Sequence, residues 1–188
     1  MPSLASFHKV LSPILGFSEA ALYERQRALV RAGVLPKASG RGRSSGGAEV
    51  SPEAVAWIIL ALLATDNLSE VVDQTPKVAN CKLGKKEAVN SPFKANSTLL
   101  KALTSILSQQ ALAERIGALV VFRKLFNARI SYSDRALPEP LFPQDVPHSV
   151  IFLATDDDDR PPAILTDATI NGFTLSEIAE LLAREEWQ

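Results

Sequence analysis

One cysteine, Cys81, stands alone in a chain of 188 residues, so no internal disulfide and no multi-cysteine zinc site can form. A chain of this length can bury a core without such staples, and a lone thiol fits a reducing compartment. Histidine is nearly as scarce. His8 and His148 are the only two and lie far apart, which leaves little for acid–base or metal chemistry. No Gly-x-Ser-x-Gly, P-loop or dinucleotide fingerprint occurs. The longest apolar run, Ala54 to Ala64, is shorter than the roughly 20 residues that a bilayer span needs. Residues Met1 to Ser18 lack a basic segment followed by an apolar one, so they do not read as a signal peptide. These absences lead to an expectation of a cytoplasmic, non-enzymatic protein with no cofactor, no metal and no membrane partner.

What is present is an uneven charge distribution. The net charge is −1, which taken alone argues against a polyanionic partner. Residues 1–43 nevertheless carry a net +5, residues 44–75 a net −5, residues 76–135 a net +8 and residues 136–188 a net −9. Two basic blocks can meet phosphate, and two acidic ones restrain non-specific binding. The alternative is that these charges only solvate separate faces.

Periodicity organises the chain. Leu4, Phe7, Leu11 and Leu15 are spaced for a helix over about 4–15, with Pro13 ending or kinking it. Gly16-Phe17-Ser18 reads as a tight turn with Ser18 as N-cap. A second helix is expected over Glu19–Ala32, closed by Gly33 and stopped by Pro36. Its apolar stripe is thin, Leu22 and Leu29, with Arg25, Arg27 and Arg31 decorating the rest. Lys37 to Glu49 is a Gly/Ser/Arg loop. A third helix, capped by Ser51 with Pro52 at its first position, runs to about Thr65 and is apolar nearly all round, hence buried. A short helix over Ser69–Asp73 follows. Thr75–Ser91 is polar, holds Lys77, Lys82, Lys85 and Lys86, and reads as a linker or insertion. Ser97–Ile116 reads as one amphipathic helix and Ala118–Ser133 as β-structure. Val150–Ala154 and Ala163–Ile170 read as strands joined by a turn at Asp156–Pro162. A last helix capped by Thr174 or Ser176 reaches about Trp187.

The fold class expected is α+β: an N-terminal helix-turn-helix module, with or without a wing, followed by a small α+β domain with an antiparallel sheet. The divisions are 1–74 for a DNA-binding domain, 75–95 for a linker or insertion, and 96–188 for an α+β domain that serves oligomerisation, since so few strands leave a sheet to be completed by a second copy.

The second helix carries the functional argument. Ala20, Tyr23, Glu24, Arg27 and Arg31 lie opposite Leu22 and Leu29, and the N-cap Ser18 is counted with them as a candidate DNA contact. An arginine there can bond guanine in a bidentate manner, and a tyrosine can reach phosphate. Next to it, Lys37 and the run Gly40-Arg41-Gly42-Arg43 resemble the flexible arms that enter a narrow minor groove. Arg41 and Arg43, among glycines and serines, are expected to order only on DNA. The competing reading is a small helical bundle with solvated arginines and a solvated linker. Asp156–Asp159 crowds four carboxylates without the spacing or glycine of a metal loop, and reads as a solvated hairpin turn.

Several of these stretches resemble known proteins. They are Arg27-Ala28-Leu29-Val30-Arg31-Ala32-Gly33-Val34-Leu35-Pro36, the Gly/Arg loop, Ser51-Pro52-Glu53-Ala54-Val55-Ala56 and Leu60-Ala61-Leu62-Leu63-Ala64-Thr65. Together they look like a group of small prophage-associated helix-turn-helix proteins of alphaproteobacteria. The order helix, turn, helix, basic loop, helix is also loosely similar to the MerR-type winged helix. The resemblance covers about residues 16–70. It implies phage-type binding of double-stranded DNA, in transcription regulation or in genome packaging. The long dimerisation helix and effector cysteines of MerR proteins are missing, so effector sensing does not carry over. The leading expectation is a phage-type transcriptional regulator that works as a homo-oligomer, with a dimer favoured. The alternatives are a small terminase-like DNA-recognition subunit, which would form a closed ring, and a protein-interaction module that does not touch DNA.

Overall fold

A computed structural model describes residues 3–36, 48–85, 88–89, 91–133, 149–154 and 167–184. Among them lie seven α-helices: α1 (Leu4–Leu15), α2 (Glu19–Arg31), α3 (Pro52–Ala64), α4 (Val71–Ala79), α5 (Leu99–Ser108), α6 (Gln110–Ala113) and α7 (Gly172–Ala183). Five strands, β1 (Lys82–Leu83), β2 (Ile116–Phe122), β3 (Asn127–Tyr132), β4 (Ser149–Leu153) and β5 (Asp167–Asn171), form one antiparallel sheet in the order β1-β4-β3-β2-β5. The protein is thus mixed α+β with a helical N-terminus.

Caps decide the helix starts. Ser18 Oγ accepts from the Ala21 amide at 3.2 Å and Ser51 Oγ from the Ala54 amide at 3.1 Å, each quieting a donor that the first turn leaves unpaired. Pro52 follows Ser51 at a position where its missing N–H costs nothing. The first helix does run from Leu4 to Leu15, and Pro13 does not end it. Gly16, at φ 70°, closes that helix, and its amide donates to the Ser12 carbonyl at 3.0 Å.

α3 is the centre of the packing. Residues Ala54 to Ala64 are all buried, and α3 lies against α5, α4, α2 and β5. One apolar core therefore includes Leu4, Phe7 and Leu29 from the N-terminal helices, Leu103 and Ile106 from α5, Leu119 and Ile130 from the sheet, and Leu175 and Ile178 from α7. α7 packs across β2 and α5. At full burial each such large side chain contributes about 1.5–3 kcal/mol.

Four expectations are corrected. Residues 75–91 are not a bare linker: α4 extends to Ala79, with Val71, Thr75, Val78 and Ala79 buried on one side, and Leu83 pairs with Phe152 in the sheet. The helix expected over Ser97–Ile116 breaks at Gln109, whose φ −133° and ψ 101° are extended. The strands β4 and β5 do not pair as a hairpin, because β3 and β2 stand between them. Asp156–Asp159 themselves lie outside the described residues. Finally, α7 is capped by Asn171, whose Oδ1 accepts from the Thr174 amide at 2.8 Å, and not by Thr174 or Ser176.

Candidate nucleic-acid interface

α2 sits on the body through one face. Leu22, Arg25, Gln26, Leu29 and Val30 are buried, at the i, i+3, i+4, i+7, i+8 spacing of a helix docked on a core. Both ends of α2 are fixed. At its start Ser12 Oγ donates to the Phe17 carbonyl at 2.6 Å, locking the three-residue turn from α1. At its end the Gly33 amide donates to the Val30 carbonyl at 3.1 Å and the Val34 amide to the Leu29 carbonyl at 2.9 Å. This is a Schellman closure, and Gly33 at φ 74° supplies its left-handed residue. Leu35, 2% exposed, anchors the chain just beyond.

Arg25 was expected to decorate the surface, and the structure corrects this. It is buried against the core. Its Nη1 donates to the Ala21 carbonyl at 3.3 Å, its Nη2 to the Asp66 carbonyl at 3.4 Å, and its guanidinium lies 5.9 Å from the Phe17 ring centroid. Burial lowers its pKa, against the opposing pull of the Asp66 charge. Asp66 in turn takes two bonds from Arg123, at 2.5 and 2.9 Å, and these hold its carboxyl below the usual carboxylate range. Arg123 Nε also donates to the Leu63 carbonyl at 2.9 Å and Nη2 to the Leu62 carbonyl at 3.3 Å. The turn between β2 and β3 thereby closes the C-terminal end of α3, and Asp66 links that closure to α2. Sequence reasoning passed over Asp66 and Arg123 and put Arg25 on the wrong face. Only Arg25 carried a signal, since it lies three residues after Leu22 and four before Leu29.

The opposite face of α2 holds five of the expected site residues, and Ser18 is the N-cap at its start. Ser18, Ala20, Tyr23, Arg27 and Arg31 are exposed and Glu24 is half-buried. Arg27 pairs with Glu24 at 3.5 Å, with both side chains 45% exposed. Such a pair is worth about 0.2–1 kcal/mol, so Arg27 can leave it for a stronger anion. Arg31 stands in the last turn, where a cation favours the helix dipole. Lys37, Arg41 and Arg43 lie outside the described residues. The chain leaves the described structure at Pro36 and returns at Ala48, which is buried and whose carbonyl accepts from the Leu4 amide at 2.8 Å.

Other groups offer less chemistry. His8 is 1% exposed, neither ring nitrogen has a hydrogen-bond partner among the described residues, and burial brings its pKa down to about 4. His148 lies outside the described residues. Cys81 is buried, its Sγ donates to the Val78 carbonyl at 2.8 Å, and burial pushes its thiol up to about 12. Among the described residues no group of three or more His, Cys, Asp or Glu could hold a metal ion, and no helix is long and apolar enough to cross a membrane. A cleft of about 730 Å³ is lined among others by Glu53, Asn80, Phe93, Lys94 and Lys101. Its Thr104 and Ser105 hydroxyls are spent on carbonyls of their own helix. No family model, no curated protein and no solved structure matches this chain.

Proposed function

We propose that this protein binds double-stranded DNA through the exposed face of α2 and acts as a phage-type transcriptional regulator without catalysing a reaction. One observation carries the reading. α2 is held rigidly by its buried face, its Schellman closure and the turn from α1, while Tyr23, Arg27 and Arg31 stand together in solvent on its other side. A helix so mounted can enter a major groove, where Arg27 reads a base edge and Arg31 and Tyr23 meet phosphates. Arg41 and Arg43, in the segment that begins directly after α2, supply a minor-groove arm in this reading. The resemblance over residues 16–70 and the +5 charge of residues 1–43 point the same way.

The test is a selection from random duplex DNA with the full chain, followed by titration of the selected site. Arg27→Ala should weaken the selected site by roughly 1–3 kcal/mol and spare random duplexes. Equal loss on both would reduce Arg27 to a phosphate contact. Retention of no duplex sequence by the wild-type chain would end the reading.

A further inference from the structure

The two edges of the sheet differ. β1 is two residues long, carries Lys82, and is further covered by a bridge from Lys82 to Thr98. β5 presents five residues, Asp167–Asn171, paired with β2 on one side, and among the described residues nothing pairs with its other side. It has no proline, no lysine and no bulge against β2, and its only charge is Asp167 at its start. A groove of about 230 Å³ runs beside this edge, between residues 169–171 and a wall made by Ile14, Leu15 and Phe17 of the α1–α2 corner with Leu62 and Leu63 of α3. Two phenylalanines stand in solvent here: Phe17 in the wall, 38% exposed, and Phe173, 77% exposed, which opens α7 between the groove residues Asn171 and Thr174.

We propose that this groove takes an extended segment of a partner protein, which adds a sixth strand to the sheet along β5. The unpaired side of β5 defines the chemistry, because a row of alternating backbone donors and acceptors is matched by another strand. Side chains alternate at period two, and Ala168 and Ile170 are the members of β5 turned toward the helical layer. The inward residues of the added strand therefore fall between β5 and the apolar wall and are apolar. Asp167, exposed and in no ion pair among the described residues, stands at the start of β5. It calls for a lysine or arginine at that end of the incoming segment. A second copy of this chain fits less well. In antiparallel pairing of two β5 strands both helical layers fall on one side of the joined sheet, where α1 and α3 already flank the edge.

The test uses the full chain and a displayed library of random heptapeptides, with the leading peptide then synthesised and titrated by fluorescence anisotropy. The expected sequences alternate apolar and polar residues and end in lysine or arginine. N-methylation of the backbone at one alternate set of positions abolishes binding, while methylation of the other set leaves it. Asp167→Lys weakens the peptide about two- to fivefold, and exchanging the peptide's basic end for glutamate restores it. Equal effects of the two N-methylated sets, or indifference to Asp167→Lys together with no alternation in the selected sequences, would overturn the proposal. So would light scattering that shows the free chain dimerising and reverting to monomer on Asp167→Lys, since the edge would then belong to a second copy.

Discussion

Replacing Arg123 by alanine should be among the most damaging single changes at the surface, and the reason is not its ion pair. Arg123 closes the last turn of α3, where the Leu62 and Leu63 carbonyls have no partner within the helix. The two residues are only 5% and 6% exposed, so water is a poor substitute for the lost donors. A hydrogen bond from a charged group to a carbonyl is worth about 1.5–3 kcal/mol. The 2.9 Å bond to Leu63 earns the full figure and the 3.3 Å bond to Leu62 a fraction of it. The expected loss for Arg123→Ala is about 2–4 kcal/mol, which for a chain of this size lowers Tm by roughly 5–15 °C. Asp66 is different, since its side chain is 79% exposed. Asp66→Ala should cost at most about 1 kcal/mol, because the Asp66 carbonyl that receives Arg25 is backbone and survives. Thermal melts of the two variants at neutral pH decide the matter. If Asp66→Ala proves as costly as Arg123→Ala, the ion pair dominates and the capping argument is wrong.

Other outcomes follow from the same packing. His8 is neutral in the fold with a pKa near 4 and unfolds to a pKa of 6.5, so the unfolded chain binds the extra proton between those values and stability falls as pH drops from 6.5 toward 4. The loss should reach about 2–3 kcal/mol by pH 4.5, and His8→Leu should flatten that limb of the stability profile; an unchanged limb would exonerate His8. A Cβ at Gly172 would fall 1.6 Å from the Ile116 carbonyl oxygen, so Gly172→Ala should cost at least about 3 kcal/mol, and a melt within a degree or two of wild type would contradict the β2–α7 packing. Cys81 should resist thiol reagents in the native state and react only on unfolding; fast native labelling would show that the site is open.

The N-terminal helices were legible because each is marked by local chemistry: Ser18 and Ser51 as caps, Pro52 behind its cap, Gly16 and Gly33 at positive φ. The exposed face of α2 followed from the same spacing, though its buried face was drawn too thin. Arg25 and Gln26 occupy stripe positions, and a charged residue discouraged the inference that a buried backbone acceptor, the Asp66 carbonyl, makes possible. The start of α4 was legible, but its continuation past Asp73 was not, because Pro76 lies inside it, where a proline usually argues against a helix. The break at Gln109 left a faint trace, since Leu112 is out of phase with the stripe Leu99, Leu103, Ile106. Strand order was not legible at all. Which strand lies beside β2 depends on where α7 returns across the sheet, and that is set by contacts distant in sequence. The Arg123–Asp66 link, 57 residues apart, is invisible for the same reason.

The central claim, that α2 and the arm that follows it bind duplex DNA, is tested most directly by the salt dependence of binding. The full chain is titrated into a labelled duplex by fluorescence anisotropy between about 50 and about 200 mM salt. If Arg31, Lys37, Arg41 and Arg43 all neutralise phosphates, log affinity falls against log salt with a slope of about −3 to −4. The double change Arg41→Ala, Arg43→Ala then flattens that slope by up to about 2 and leaves Tm unchanged. No measurable binding at about 50 mM salt would contradict the account, and a slope indifferent to both arginines would remove the arm from it.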